Sequence, residues 1–328
     1  MKKVKVMPLE KKGITSSRLA LGCMRFGGEW EKNSYTKEDI LSAEKAIDTS
    51  LEVGITMFDH ADIYSLGKAE KVFGEILGAR PELREKMTLQ SKCGIRFGNE
   101  TNPYCYDFSK DYILDSVDGI LSRLNTEYLD ILLLHRPDPL MEPEDVAEAF
   151  EVLKKTGKVR HFGVSNMSVA QIRLLNSYCS EPMVVNQLHM SLKRIDWLEQ
   201  GVLVNHESGS SVNFGDGIIE DCQSSDVQIQ AWSPLAKGLY SGQIIEKPSD
   251  SDIATKELVE KLAKEKEAST EAIVLGWLMR HPAMIQPVIG TANPERIKKC
   301  QDGIKQAELM TREEWYSLYT ASRGNKLP

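Results

Sequence analysis

Four residues in this sequence are of types that together move protons: Asp59, Tyr64, Lys92 and His135. Three stand in or at the end of short apolar runs, "ITMFDHA" (55–61), "MTLQSKCG" (87–94) and "LDILLLHRP" (129–137), and Tyr64 follows Asp59 by five residues. A phenol with a reference pKa of about 10 is a poor acid at neutral pH. A neighbouring ammonium favours the phenolate and lowers that pKa, and each unit of lowering is worth about 1.4 kcal/mol. A carboxylate beside the lysine keeps it charged and in place, and a histidine shares the substrate oxygen. That combination suits proton donation to a carbonyl as it becomes an alkoxide. Taken singly, each residue has a plainer reading: Asp59 as a turn former, Tyr64 as a rim aromatic, His135 as a satisfied core histidine. Lys92 is the more informative, because a charge on a buried strand needs a partner.

Such residues must be brought together by their elements. Eight apolar runs, the three above and 18–24, 161–166, 184–190, 227–234 and 284–291, are rich in Val, Ile and Leu and lack clean polar alternation, as parallel strands covered on both faces do. Amphipathic stretches separate them. One opens on Pro143 and ends in Lys154, Lys155 and Gly157, an order that suits the helix dipole and a glycine C-cap; another has Ser168 as its N-cap. The alternation predicts an α/β fold, a (β/α)8 TIM barrel over residues 1–328 as a single domain, with a short N-terminal extension and extra C-terminal helices. A doubly wound sheet is disfavoured, since no GxGxxG follows the first strand. In a barrel, sites form where the carboxyl ends of the strands converge. The polar groups there also include Arg136, Ser165, Asn166, Asn186, Gln187, Trp232, Ser233, Gly290 and Thr291.

Bulk properties bound the function. The chain has 328 residues, 27% of them charged, and a net charge of -7, which argues against a nucleic-acid binder. Six scattered cysteines form no CxxC, so we expect no zinc ribbon or disulfide framework and a reducing, cytoplasmic setting. The amino terminus lacks a signal-like apolar region, and no apolar run is long enough for a membrane span.

In this order the motifs resemble the aldo-keto reductase family along nearly the whole chain. "FDHADIY" with "AEKVFGEIL" resembles its Asp-x-Ala-x-x-Tyr signature, "LQSKCG" its lysine strand and "YLDILLLHRPD" its histidine strand. "GKVRHFGVSN", "VVNQLHMS" and "AWSPLAKGL" resemble its fifth to seventh strands, and "PVIGTANPERI" its adenosine-side motif. The resemblance implies Tyr64 as general acid, Lys92 lowering its pKa, Asp59 anchoring Lys92, and His135 orienting the carbonyl. It implies NADP(H), bound without a Rossmann domain: Ser165, Asn166 and Gln187 at the carboxamide, and Trp232 stacked on the nicotinamide. Ser233, Leu235, Lys237 and Gly238 would line the pyrophosphate, and Gly290, Thr291 and Arg296 the 2′-phosphoadenosine end. Many members have Lys-Ser where this chain has Gly290-Thr291, and Glu-Asn where it has Lys299-Cys300. Arg296 is retained, and its fork suits a phosphate, favouring NADPH over NADH. His60 stands where threonine is common and receives no role.

Aromatic and apolar residues on loops supply a substrate wall: Met24, Phe26 and Trp30 after the first strand, and Phe97, Tyr104 and Tyr106 after the third. The expected function is NADPH-dependent reduction of a small aldehyde or ketone, with oligomeric state open and a monomer compatible. The alternatives are a non-catalytic NADP(H)-binding regulatory subunit and a metal-dependent barrel hydrolase. The latter is weakened because Lys92 would repel a cation and few ligands converge; no metal site is expected.

Overall fold

The computed structural model describes residues 5–31, 33–244 and 246–328. Eight parallel strands close into a barrel: β1 (Ala20–Gly22), β2 (Met57–Asp59), β3 (Thr88–Cys93), β4 (Leu129–Leu134), β5 (Val159–Ser165), β6 (Val185–His189), β7 (Gln228–Trp232) and β8 (Gln286–Ile289). Each pairs with its sequence neighbours, and β1 closes on β8 through Ala20–Val288 and Leu21–Ile289. Every expected run carries its strand. All six residues of β3 and of β4 are buried, as double coverage requires.

The helices form where periodicity and caps agree. Thr36 and Asp39 make a reciprocal capping box at the start of Lys37–Glu52, and Ser168 and Gln171 do the same for Val169–Tyr178. Pro143 opens Pro143–Lys155, and Gly157 follows its end at a φ of 74°. Among the described residues the connection after β7 holds a 3-10 turn, Ala236–Gly238, and the α-helices Asp250–Glu265 and Thr270–Met279, and beyond β8 lie Pro294–Gln301, Gly303–Leu309 and Arg312–Arg323. Among the described residues no helix is long and apolar enough to cross a membrane.

The N-terminal extension carries a helical turn, Pro8–Lys11, whose Leu9 is buried with Ala20, Met57, Ile131, Leu133, Val185 and Val288. These residues pack together as one small cluster apart from the larger apolar cores. A hairpin, Ile95–Arg96 with Cys105–Tyr106, stands above β3 where the sequence suggested only a loop. Two-residue strands leave too little periodicity to read.

Candidate active site

Register explains how Asp59 meets Lys92. Asp59, the last residue of β2, pairs with Gln90 of β3. Side chains two apart on a strand share a face, so Lys92 lies directly above Gln90 and also faces inward. Lys92 Nζ donates to Asp59 Oδ2 at 2.7 Å, to the backbone carbonyl of His60 at 2.8 Å and to Tyr64 Oη at 3.0 Å. All three donor protons of a fully buried ammonium are thus used. The second carboxylate oxygen of Asp59 accepts from Gln90 Nε2 at 2.6 Å and Gln187 Nε2 at 3.0 Å.

Tyr64 reaches this group from a tight turn, Tyr64–Gly67, in which Ser65 and Leu66 have φ of 48° and 60°. Non-glycine residues held there cost about 1–3 kcal/mol each. The Ser65 hydroxyl lies 3.1 Å from the carbonyls of both Met24 and Gly28 and shares its one proton between them, tying the turn to the loop after β1. His135 follows β4, with its ring centroid 6.2 Å from that of Tyr64. Its Nδ1 is buried without a hydrogen-bond partner among the described residues.

Electrostatics sharpen the picture and alter one expectation. Burial opposes the charge on Lys92, but Asp59 and then Tyr64 outweigh it, so its pKa lies above the ordinary lysine value. The Tyr64 pKa was expected to fall. Instead burial raises it, and Lys92 offsets only part of that rise while Asp59 adds to it. The phenol is therefore held protonated, with a cation beside it to receive the charge left by proton loss. His135 is pushed well below its usual pKa by burial, then by Lys92 and Arg136, and is a neutral imidazole at pH 7.

Several supporting residues were not singled out by sequence. Gln230 accepts from Gln90 and Gln187, each at 2.9 Å, and donates to Gln286 at 2.9 Å. Their signal was inward spacing, Gln90 two before Lys92 and Gln230 two before Trp232. Glu70 is buried and accepts from Ser91 at 2.7 Å and Arg123 at 2.8 Å, binding the helix after the Tyr64 turn to β3. His60 now has a part: its carbonyl holds Lys92, while its buried ring stands edge-on to Phe73 at 4.6 Å.

The residues expected at the carboxamide also converge. Ser165 Oγ donates to the Gln187 carbonyl at 2.9 Å, Asn166 Nδ2 donates to Ser165 Oγ at 2.8 Å, and Trp232 Nε1 donates to Asn166 Oδ1 at 3.1 Å. His189 covers one face of Trp232, with ring centroids 3.9 Å apart and planes 11° from parallel. The amide nitrogen of Gln187 is committed to Asp59 and Gln230. Beyond β7, Ser233 and Lys237 have φ of 54° and 58°, and Gly238 88°. A Cβ on Gly238 would meet Gln243 Cγ at 2.6 Å and lie 3.5 Å from Arg296 Nη2, so this turn and the arginine adjoin. Arg296 also pairs with Glu271 at 3.3 Å. Gly290 is open and exposed, and Thr291 Oγ1 accepts from Asn293 N at 3.2 Å. Lys299 is exposed. Cys300 is fully buried, with its thiol pushed up to about 12 by burial, so it packs.

Of the wall residues, Met24, Trp30, Phe97 and Tyr104 are exposed, and Phe97 and Tyr104 adjoin at 6.3 Å between ring centroids. Phe26 is a correction: it is buried and stacked on Phe73 at 6.3 Å, beneath the loop. The Ser65 bonds pull that loop down and leave its phenyl inside the core.

A closed eight-stranded parallel barrel with a buried carboxylate and ammonium and a partly buried phenol at the carboxyl ends of its strands defines the architecture. The aldo/keto reductase family profile matches residues 18–313, and the chain belongs to that family of oxidoreductases. It is 37% identical to the uncharacterized oxidoreductase YcsN of Bacillus subtilis over 95% of this chain and 96% of that one. It is 34% identical to a 6-dehydroglucose reductase of Agrobacterium fabrum over 95% of this chain and 96% of that one. Among solved structures, the thermostable aldo-keto reductase Tm1743, in complex with the inhibitor epalrestat, is similar with a TM-score of 0.71 at 25% identity, covering 93% of this chain and 94% of that one.

Proposed function

We propose that this chain reduces an aldehyde or ketone to an alcohol with NADPH, as one barrel domain. The observation that carries the reading is Lys92 Nζ held between Asp59 at 2.7 Å and Tyr64 Oη at 3.0 Å, beside His135. Tyr64 is the general acid. Its raised pKa keeps the proton in place until negative charge develops on the substrate oxygen. Lys92 then stabilises the phenolate, and Asp59 balances Lys92 in both states. His135, neutral, donates a hydrogen bond to the carbonyl oxygen and orients it.

The residues present fit a nicotinamide cofactor, which when bound supplies the hydride. Ser165, Asn166 and the Gln187 amide oxygen would hold the carboxamide. Trp232, stacked on His189 and with the Arg136 guanidinium 5.7 Å from its ring centroid, would border the nicotinamide ring. The positive-φ turn carrying Ser233, Leu235, Lys237 and Gly238 would receive the pyrophosphate, with Gly290, Thr291 and Arg296 at the adenosine end. The adjacency of Gly238 and Arg296 supports one continuous binding track, and the Arg296 fork favours NADPH. Met24, Trp30, Phe97 and Tyr104 would border a small-molecule substrate, and the reductase name of the Agrobacterium relative supports a hydroxylated one. Six free thiols support a reducing cytoplasm.

The test is the absorbance of NADPH in the presence of a panel of carbonyls, with cofactor affinity measured by fluorescence. Turnover by the native protein and its loss in Tyr64→Phe, with the cofactor still bound, is expected. Neither turnover nor NADPH binding in the native protein would end the reading. Tight binding without turnover would instead favour a cofactor-sensing subunit.

A further inference from the structure

Beside the proposed catalytic group lies a cavity of about 410 Å³ bordered by Arg136, Asn166, Gln171, His189, Arg194 and Trp232, and none of its lining residues is Asp or Glu. That is unusual ground in a chain of net charge -7. Arg194 is occupied by Asp196 at 3.1 Å. Arg136 is partly buried, forms no ion pair among the described residues, and reaches across the barrel mouth to within 5.7 Å of the Trp232 ring centroid. Its charge is felt on both sides: it helps lower the pKa of His135 and, after burial and Arg194, that of His189. A partly buried guanidinium is costly to hold without an anion, and its planar fork matches carboxylate and phosphate.

The cofactor's phosphates are not the fitting occupant. The segments proposed for them leave from β7 and β8, whereas Arg136 leaves from β4, one residue after His135. We propose that the carbonyl substrate carries an anionic group, a carboxylate or a phosphate, which Arg136 binds while His135 and Tyr64 hold the carbonyl end. This rests on the reductase reading above. Arg136 is then a specificity determinant, and the positive cavity also draws anionic substrates to the mouth.

The experiment uses the purified full chain with NADPH and four aldehydes: succinic semialdehyde and its neutral counterpart butanal, and glyceraldehyde 3-phosphate and its neutral counterpart glyceraldehyde. At least one charged member is expected to exceed its neutral counterpart in kcat/KM, and which pair shows the advantage tells carboxylate from phosphate. Raising ionic strength narrows that advantage. Arg136→Met lowers the charged-to-neutral ratio roughly 10- to 100-fold, mostly through KM, as loss of a charge-assisted contact does, and Arg136→Lys keeps part of it. Turnover of the neutral aldehydes with no charged advantage in either pair overturns this proposal alone. So does a ratio that Arg136→Met leaves unchanged. Absence of turnover on all four and on the wider carbonyl panel overturns the reductase reading, and the proposal with it.

Discussion

Buried His60 and partly buried Asp62, on either side of Ala61, should oppose each other in the pH dependence of stability. Among the described residues the His60 ring has no hydrogen-bond partner on either nitrogen, and burial, then the charge of Lys92, lowers its pKa from 6.5 to about 3. Below about pH 6.5 the unfolded chain takes up a proton there that the folded chain refuses, so stability falls as pH drops toward about 3. Across about pH 6.5 to 4.5 the loss is about 2 kcal/mol, approaching about 1.4 kcal/mol per unit in the lower half. Asp62 runs the other way. Burial, then Glu70, raises its pKa from 3.8 to about 7, so the folded chain keeps a proton that the unfolded one has released. Its contribution falls as pH rises from 3.8 toward about 7. In the native protein the two slopes largely cancel. His60→Leu removes one of them with a side chain of similar size. Urea midpoints at about pH 6.5, 5.5 and 4.5 should show the variant gaining about 2 kcal/mol relative to native on acidification. A constant offset reports repacking and is irrelevant. Parallel profiles would refute the reasoning, because they would mean that His60 titrates alike in both states.

Three further outcomes are expected. Tyr64→Phe should lower kcat on any accepted carbonyl by about 10²–10⁴-fold, as loss of a general acid does, with cofactor affinity measured alongside. Lys92→Met should cost about 3–5 kcal/mol in urea unfolding, because Asp59 is left buried without its cation; adding Asp59→Leu should restore part of that, and simple additivity would count against the pair. Gly74→Ala should lower stability by about 3 kcal/mol, since its Cβ would sit 2.0 Å from the Arg123 carbonyl where two helices cross; an unchanged melting temperature would contradict the packing.

The barrel was legible because each buried strand is a short, dense apolar run, and because caps such as Ser168 and Pro143 carry local signals that tertiary contacts did not override. The convergence of Asp59 and Lys92 was legible for the same reason: strand ends in a barrel share one mouth. What resisted reading was set by contacts between distant segments. Phe26 looks like a loop aromatic until the Ser65 hydroxyl, 41 residues from Met24, ties its loop down. The sequence shows the partner that lowers the Tyr64 pKa, while the burial that sets its direction is a property of the assembled mouth. The glutamines inside the barrel pass for neutral strand residues unless the pairing of four strands is known.

Those glutamines have a further consequence. Because Asp59 only accepts, Gln90 and Gln187 must turn their NH₂ groups toward it. Those same groups reach Gln230, which must therefore present its oxygen and turn its own NH₂ to Gln286, which in turn donates to the Ser17 carbonyl at 2.5 Å. Amide orientation thus runs in one sense from the mouth of the barrel to its base. An Asp59→Asn change, which supplies a donor where only an acceptor stood, would give every amide in the chain a reason to rotate, and a change confined to the mouth would be felt at Ser17 without any strand having moved.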